Sequence, residues 1–164
     1  MLKKIVLFAL LLLPLGAFAQ EKIAYFNSSE IIVIMPEFKQ MQDSLQKTQT
    51  GMEREMEILR EEYNKKYQAF MDESDGLSES IKIRRMQDIQ NLEERAALYG
   101  QQAQQELIQL QKVLFEPIEK KIHDALQAVG AANNFLYILE GATLLYVSPN
   151  AVDATPLVQK HLKL

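Results

Sequence analysis

Between Pro36 and about Val129 apolar side chains recur with a period that few folds can use. In the first half they fall at Met41, Leu45, Thr48, Met52, Met56, Leu59, Tyr63, Tyr67 and Phe70. The steps are 4, 3, 4, 4, 3, 4, 4 and 3, so that Met41, Met52 and Tyr63 stand 11 apart, as do Thr48, Leu59 and Phe70. Leu92, Ala96, Tyr99, Ala103, Leu107, Leu110, Leu114 and Ile118 continue the rhythm. Such a repeat means roughly 3.67 residues per turn, so the stripe hardly drifts and two helices can lie nearly straight against each other. A strict seven-residue repeat would supercoil to the left instead. The spacing therefore predicts one long antiparallel helical hairpin, turning at Asp75-Gly76, and not a globular core.

The first nineteen residues stand apart from this. Lys3 and Lys4, the apolar run Ile5 to Leu13, and Ala17-Phe18-Ala19 have the form of a secretory signal peptide, cleaved after Ala19. The run is too short to span a bilayer. The mature chain then begins at Gln20 and is an exported one. With no cysteine it has no disulfide, no thiol chemistry and no lipid-bearing cysteine, so its stability must come from packing or self-association. Removing Lys3 and Lys4 leaves 16 basic against 22 acidic residues, a net of about −6. No basic face suits nucleic acid, whose binding rests on neutralising phosphates.

Lys22 to Asn27 reads as a short strand. Asn27 is placed to cap a brief helix with Glu30 returning a bond, and the unbroken Ile31-Ile32-Val33-Ile34 suggests burial on most sides. Met35 precedes a proline and is pushed out of the helical basin, and Pro36 opens the long arm. Beyond Pro117 the helix runs through Ile118, Ile122, Leu126 and Val129, ending at Gly130 and Asn133-Asn134. Phe135 to Leu139 and Thr143 to Val147, joined by Glu140-Gly141-Ala142, read as a β-hairpin. Thr155 with Pro156 is expected to begin a terminal helix, Thr155 as its cap.

At the turn, Gly76 is expected in a left-handed conformation with Ser78 capping the second arm. Folding there sets residue n opposite roughly 152 − n, which brings Pro36 level with Pro117 and Gly51 level with Gly100. Pro117 should kink the second arm. The paired prolines mark where the hairpin joins something else, and the facing glycines suggest a pliant elbow. Each arm spans on the order of 60 Å. The fold class is thus α+β. A small β-containing body, residues 20–35 and 118–164, is interrupted by a hairpin over 36–117 with its tip at 74–78.

In this order the parts carry a resemblance. Lys22 to Glu37 (KIAYFNSSEIIVIMPE), the long charged hairpin, the FEPIEKKIHDAL segment around Pro117, the paired strands and the closing Asp153-Ala154-Thr155 resemble the Skp/OmpH family of periplasmic chaperones. The likeness covers essentially the whole mature chain and rests on the order of parts. It implies a jellyfish-like homotrimer whose β-containing bodies associate and whose hairpin tentacles enclose a cavity. There unfolded outer-membrane β-barrel precursors are held without ATP, nucleotide or metal, and transient contact with a membrane surface is allowed. Best-known members are basic. This chain is acidic, its basic cluster is limited to Lys82, Arg84 and Arg85 near the tip, and Arg84 suits an i,i+4 pair with Asp88. An anionic-lipid site is not carried over.

Loose holding favours adaptable side chains such as methionine. Met41, Met52 and Met56 keep the seam's rhythm and are expected to fill it, which leaves Met71, Met86 and neighbouring Phe70 as client contacts. Gly51 and Gly100 are the hinge, and Ile23, Tyr25, Phe135, Tyr137, Leu139, Leu145 and Val147 the trimer body. His123 and His161 have no spaced partner for zinc, and no phosphate loop or nucleophile motif suggests an enzyme or a cofactor. The competing reading is a structural spacer of the envelope whose hairpin zips with other coiled coils.

Overall fold

The computed structural model describes residues 22–164. The signal peptide expected over residues 1–19, its cleavage after Ala19 and the first mature residues lie outside them. The chain divides into two units, one comprising the chain up to Ile31 together with Ile122–Leu164, the other Ile32–Lys121.

The first unit is built on a three-stranded sheet. Its strands are β1 (Lys22–Phe26), β2 (Phe135–Glu140) and β3 (Val152–Asp153), in the order β2-β1-β3, and both pairings are parallel. Ile23 pairs with Tyr137 and Tyr25 with Leu139, after an irregularity between Lys22 and Ile23. Ala24 and Tyr25 pair with Val152 and Asp153 on the other side. The expected β-hairpin is therefore absent. After β2 the chain does not reverse, because Gly141–Thr143 winds into a 3-10 turn. There the Leu144 amide donates to the Gly141 carbonyl at 3.1 Å and the Thr143 hydroxyl to the Glu140 carbonyl at 2.8 Å. β2 pairs with β1 instead, a parallel neighbour reached only by a long crossover. Strand-forming residues report a pleated, half-buried surface and do not name the partner.

Behind the sheet, Ala24 and Phe26 of β1 are buried with Ile31, with Ile122, Ala125 and Val129, and with Ala154 and Val158. Ile31 belongs to α1 (Ser28–Ile34), and the Ile122-Ala125-Val129 face lies on α3 (Glu79–Asn133). Val158 belongs to α4 (Thr155–Leu162). Two local expectations change here. Thr155 is not the cap of α4 but its first residue. Its hydroxyl accepts the Asn27 amide at 3.0 Å, while Asp153 Oδ1 accepts the Thr155 amide at 2.8 Å. The helix also passes through Gly130 to Asn133, and Asn134 turns it out with a φ of 54°, a left-handed conformation that asparagine tolerates.

In the second unit, α2 (Pro36–Glu73) starts at Pro36 after an extended Met35, as the proline demands. The helix α3 is not ended by Pro117. Of the stripe, only Tyr67 counts as exposed; Met41, Leu59, Leu92 and Ile118 are buried and the rest half-buried. Ile89, one turn before Leu92, is a further buried member. Two ion pairs join the arms, Lys121 to Glu37 near the base and Arg85 to Glu73 at 2.6 Å near the tip. Arg84, expected to pair with Asp88, makes no ion pair among the described residues; its neighbour Arg85 does.

The turn occupies Ser74 to Ser78, where it is expected. Ser74–Gly76 is a 3-10 turn closed by the Leu77 amide on the Ser74 carbonyl, and Leu77 is extended. No described glycine has a positive φ, so Gly76 is not left-handed. The Ser78 hydroxyl sits 3.2 Å from that of Ser80, and its carbonyl receives the first amides of α3. The pairing is nevertheless shifted by about one helical turn from the expected one, because the 3-10 turn carries the first arm on to Gly76 and the extended Leu77 follows it. A Cβ on Gly100 would meet Met56 Cε at 3.3 Å, whereas one on Gly51 would meet nothing. Gly51 and Gly100 thus do not face each other. The run Ile31 to Ile34 also differs from expectation: Ile31 is buried, but Val33 and Ile34 are exposed.

Candidate functional site

One face of the sheet is left uncovered. Side chains alternate along a strand, so the burial of Ala24 and Phe26 turns Ile23 and Tyr25 the other way. The parallel register sets Tyr137 beside Ile23 and Leu139 beside Tyr25. Ile23 is 50% exposed and Tyr137 57%, and Leu139 is exposed as well. Tyr25 is half-buried; its burial, then the adjacent Asp153 carboxylate to which it hydrogen-bonds, push its hydroxyl's pKa up. Of the seven residues predicted for association, the structure gathers these four on one apolar face. Phe135 lies half-buried at the irregular start of β2. Leu145 and Val147 are exposed, but in the irregular segment before β3. Tyr146 between them is exposed too and was legible as part of the same run, whereas Leu136 and Val152 were not singled out.

On the hairpin, Met71 is 55% exposed and Met86 48%, while Phe70 is half-buried in the stripe. Ile58, Ile81, Ile83, Leu98, Ile108 and Val113 are exposed apolar residues that sequence reasoning missed. They fall off the periodic stripe, so no pattern flags them. Tyr63 and Tyr67 stack with ring centres 6.0 Å apart.

Two hollows open along the seam. In one of about 450 Å³, Met56, Leu59 and Tyr63 of α2 face Leu92 and Ala96 of α3, and exposed Arg60 and Glu93 border it. The other, about 250 Å³, lies nearer the tip between Lys66, Ala69 and Glu73 of α2 and Arg85, Asp88 and Ile89 of α3. At the base, Glu37's carboxyl is held below the ordinary carboxylate range, first by the Lys121 hydrogen bond and then by a backbone amide at the helix start.

Among the described residues no cluster of three acidic, histidine or cysteine side chains could hold a metal, and no helix is long and apolar enough to cross a membrane. His123 Nε2 lies 3.2 Å from Gln127 Nε2. What this chain offers is apolar surface and compliant seams.

Comparison with known proteins agrees. Residues 22–162 match the family described as Outer membrane protein (OmpH-like). The fold is similar to the crystal structure of an OmpH-like protein from Caulobacter crescentus CB15, a candidate outer membrane chaperone. The TM-score is 0.75 at 15% identity, over 85% of this chain and 82% of that one. No curated protein matches the sequence.

Proposed function

We propose that this chain, which belongs to the OmpH-like family of outer membrane protein chaperones, is an ATP-independent holdase that keeps unfolded outer-membrane β-barrel precursors from aggregating in the periplasm. The family is non-enzymatic. A signal peptide cleaved after Ala19 would deliver the mature chain to that compartment.

The observation that carries this reading is the uncovered face of Ile23, Tyr25, Tyr137 and Leu139. An apolar sheet face left to water is costly and calls for a cover, and a second and third copy supply one. Leu145, Tyr146 and Val147 are exposed apolar residues of the same unit and belong to that association surface. Three bodies so joined gather three hairpins around a space. Exposed Met71 and Met86, with Phe70 beside them, then offer weak, adaptable contacts to a disordered chain. The test is dilution of a urea-unfolded outer-membrane protein into the mature chain. Suppressed aggregation at near-stoichiometric trimer is expected; a precursor that aggregates as fast as it does alone contradicts the holdase.

A further inference from the structure

The two hollows along the hairpin seam have a spacing that a short extended segment can bridge. On α2 the first is lined from Met56 to Tyr63 and the second from Lys66 to Glu73, ten residues further along. On α3 they are lined from Leu92 to Ala96 and from Arg85 to Ile89, seven residues apart. At the helical rise the separation is about 15 Å along α2 and about 10 Å along α3, and the centres lie about 13 Å apart. In an extended chain, same-face side chains at i and i+4 are about 13 Å apart. In a helix the same pair is only about 6 Å apart, and a helix needs side chains two or more turns apart to reach both hollows.

The chemistry of each hollow fits the same occupant. Ala96 and Gly100 give the seam little side chain, and Met56 leans into the place of the missing Gly100 Cβ. Buried Leu59 and Leu92 floor the larger hollow, and Met56, unbranched and only half-buried, is free to move aside. Charges of both signs border the openings, Arg60 with Glu93 and Glu73 with Arg85, which suits polar residues between apolar ones. Strands of outer-membrane barrels alternate apolar and polar residues in this manner.

We infer that the seam hollows are binding sites for apolar side chains at i and i+4 of an extended, alternating client segment, with Met56 as the movable wall of the first. This rests on the holdase reading and sharpens it, because it names the stretch of client that the seam holds.

The test uses the full mature chain labelled with 13C at the methionine methyls and titrated with a synthetic peptide alternating leucine and glutamine. A peptide of the same composition with its leucines blocked at one end is the control. The Met56 methyl should shift with the alternating peptide and respond more weakly to the blocked one, while the buried Met41 methyl stays in place. Filling the hollow by Ala96→Phe should weaken binding about tenfold, the worth of one buried apolar side chain. A Met56 methyl that does not move, while those of Met71 or Met86 do, overturns the inference. So does an Ala96→Phe variant of unchanged helical content and unchanged affinity. If that variant fails to fold, the wild-type methyl spectrum decides alone. Should the wild type suppress aggregation while Met56 stays silent, only the hollows fall; should it not suppress, the holdase reading falls and takes them with it.

Discussion

In the sheet unit Phe26, Ile31, Ala125, Ala154 and Val158 are almost wholly enclosed, whereas along the ninety residues of Ile32–Lys121 most of the stripe stays half open. Full enclosure there is confined to Met35, Met41, Leu59, Ile89, Leu92 and Ile118 among the described residues. The same kind of side chain therefore does different work in the two units. In the first, burial is concentrated in a few contacts, and a small change has nowhere to relax. In the second it is spread thinly over many turns, so local losses are small and the seam can yield. The proposed holdase needs these two distributions, one for a scaffold that stays fixed and one for an arm that accommodates many shapes.

The largest difference is expected from truncation. Ile31→Ala empties a fully buried site and should cost about 2–5 kcal/mol. Leu110→Ala, at a half-buried stripe position, should cost about 1 kcal/mol, since much of the side chain already meets water. Urea unfolding of both variants measures this, and equal losses would break the comparison.

The glycines sharpen it next. A Cβ at Gly141 would overlap Asn27 Oδ1 and crowd the Tyr25 ring, so Gly141→Ala should destabilise by about 1–3 kcal/mol. At Gly51 a Cβ meets open space on a helix, and Gly51→Ala should stabilise by up to about 1 kcal/mol. Thermal melts giving the same sign for both would show that the units do not differ in this respect.

The smallest effect concerns Glu37. Its carboxyl pKa is lowered in the fold, so the folded chain binds that proton less readily than the unfolded one. The resulting stabilisation is present above the ordinary value of 4.5 and is lost as pH falls through the folded value. Because the pair with Lys121 is partly exposed, it is worth less than about 1 kcal/mol. Glu37→Gln should remove this part of the acid dependence. Identical pH–stability curves for the variant and the wild type would mean that the pair contributes nothing.

The stripe was legible because its repeat matches the helix, and nearly every residue in it is turned from solvent. The strand from Lys22 was legible from its apolar and aromatic composition, whereas the alternation of its burial belongs to the structure. What the residues could not state was partnership. Thr143 to Val147 has the composition of a strand, yet β1, more than a hundred residues earlier, takes the place beside Phe135–Glu140. The inter-arm pairing slipped because a 3-10 turn carries the first arm on to Gly76 before the extended Leu77, a path that Asp75-Gly76 does not reveal. That slip made Gly51 and Gly100 look paired. It also hid the seam beside Met56, where one glycine and one alanine leave room. The hollows depend on which small residue meets which large one across two helices, and that becomes readable only once the pairing is known.

Sedimentation equilibrium of the mature chain at micromolar concentration asks most directly whether the uncovered sheet face gathers several hairpins together. A mass three times that of the single chain is expected, falling to the single-chain mass when Tyr137→Asp places a charge on that face, with helical content unchanged. A wild-type chain that sediments as a monomer would contradict the account, because a lone hairpin encloses nothing.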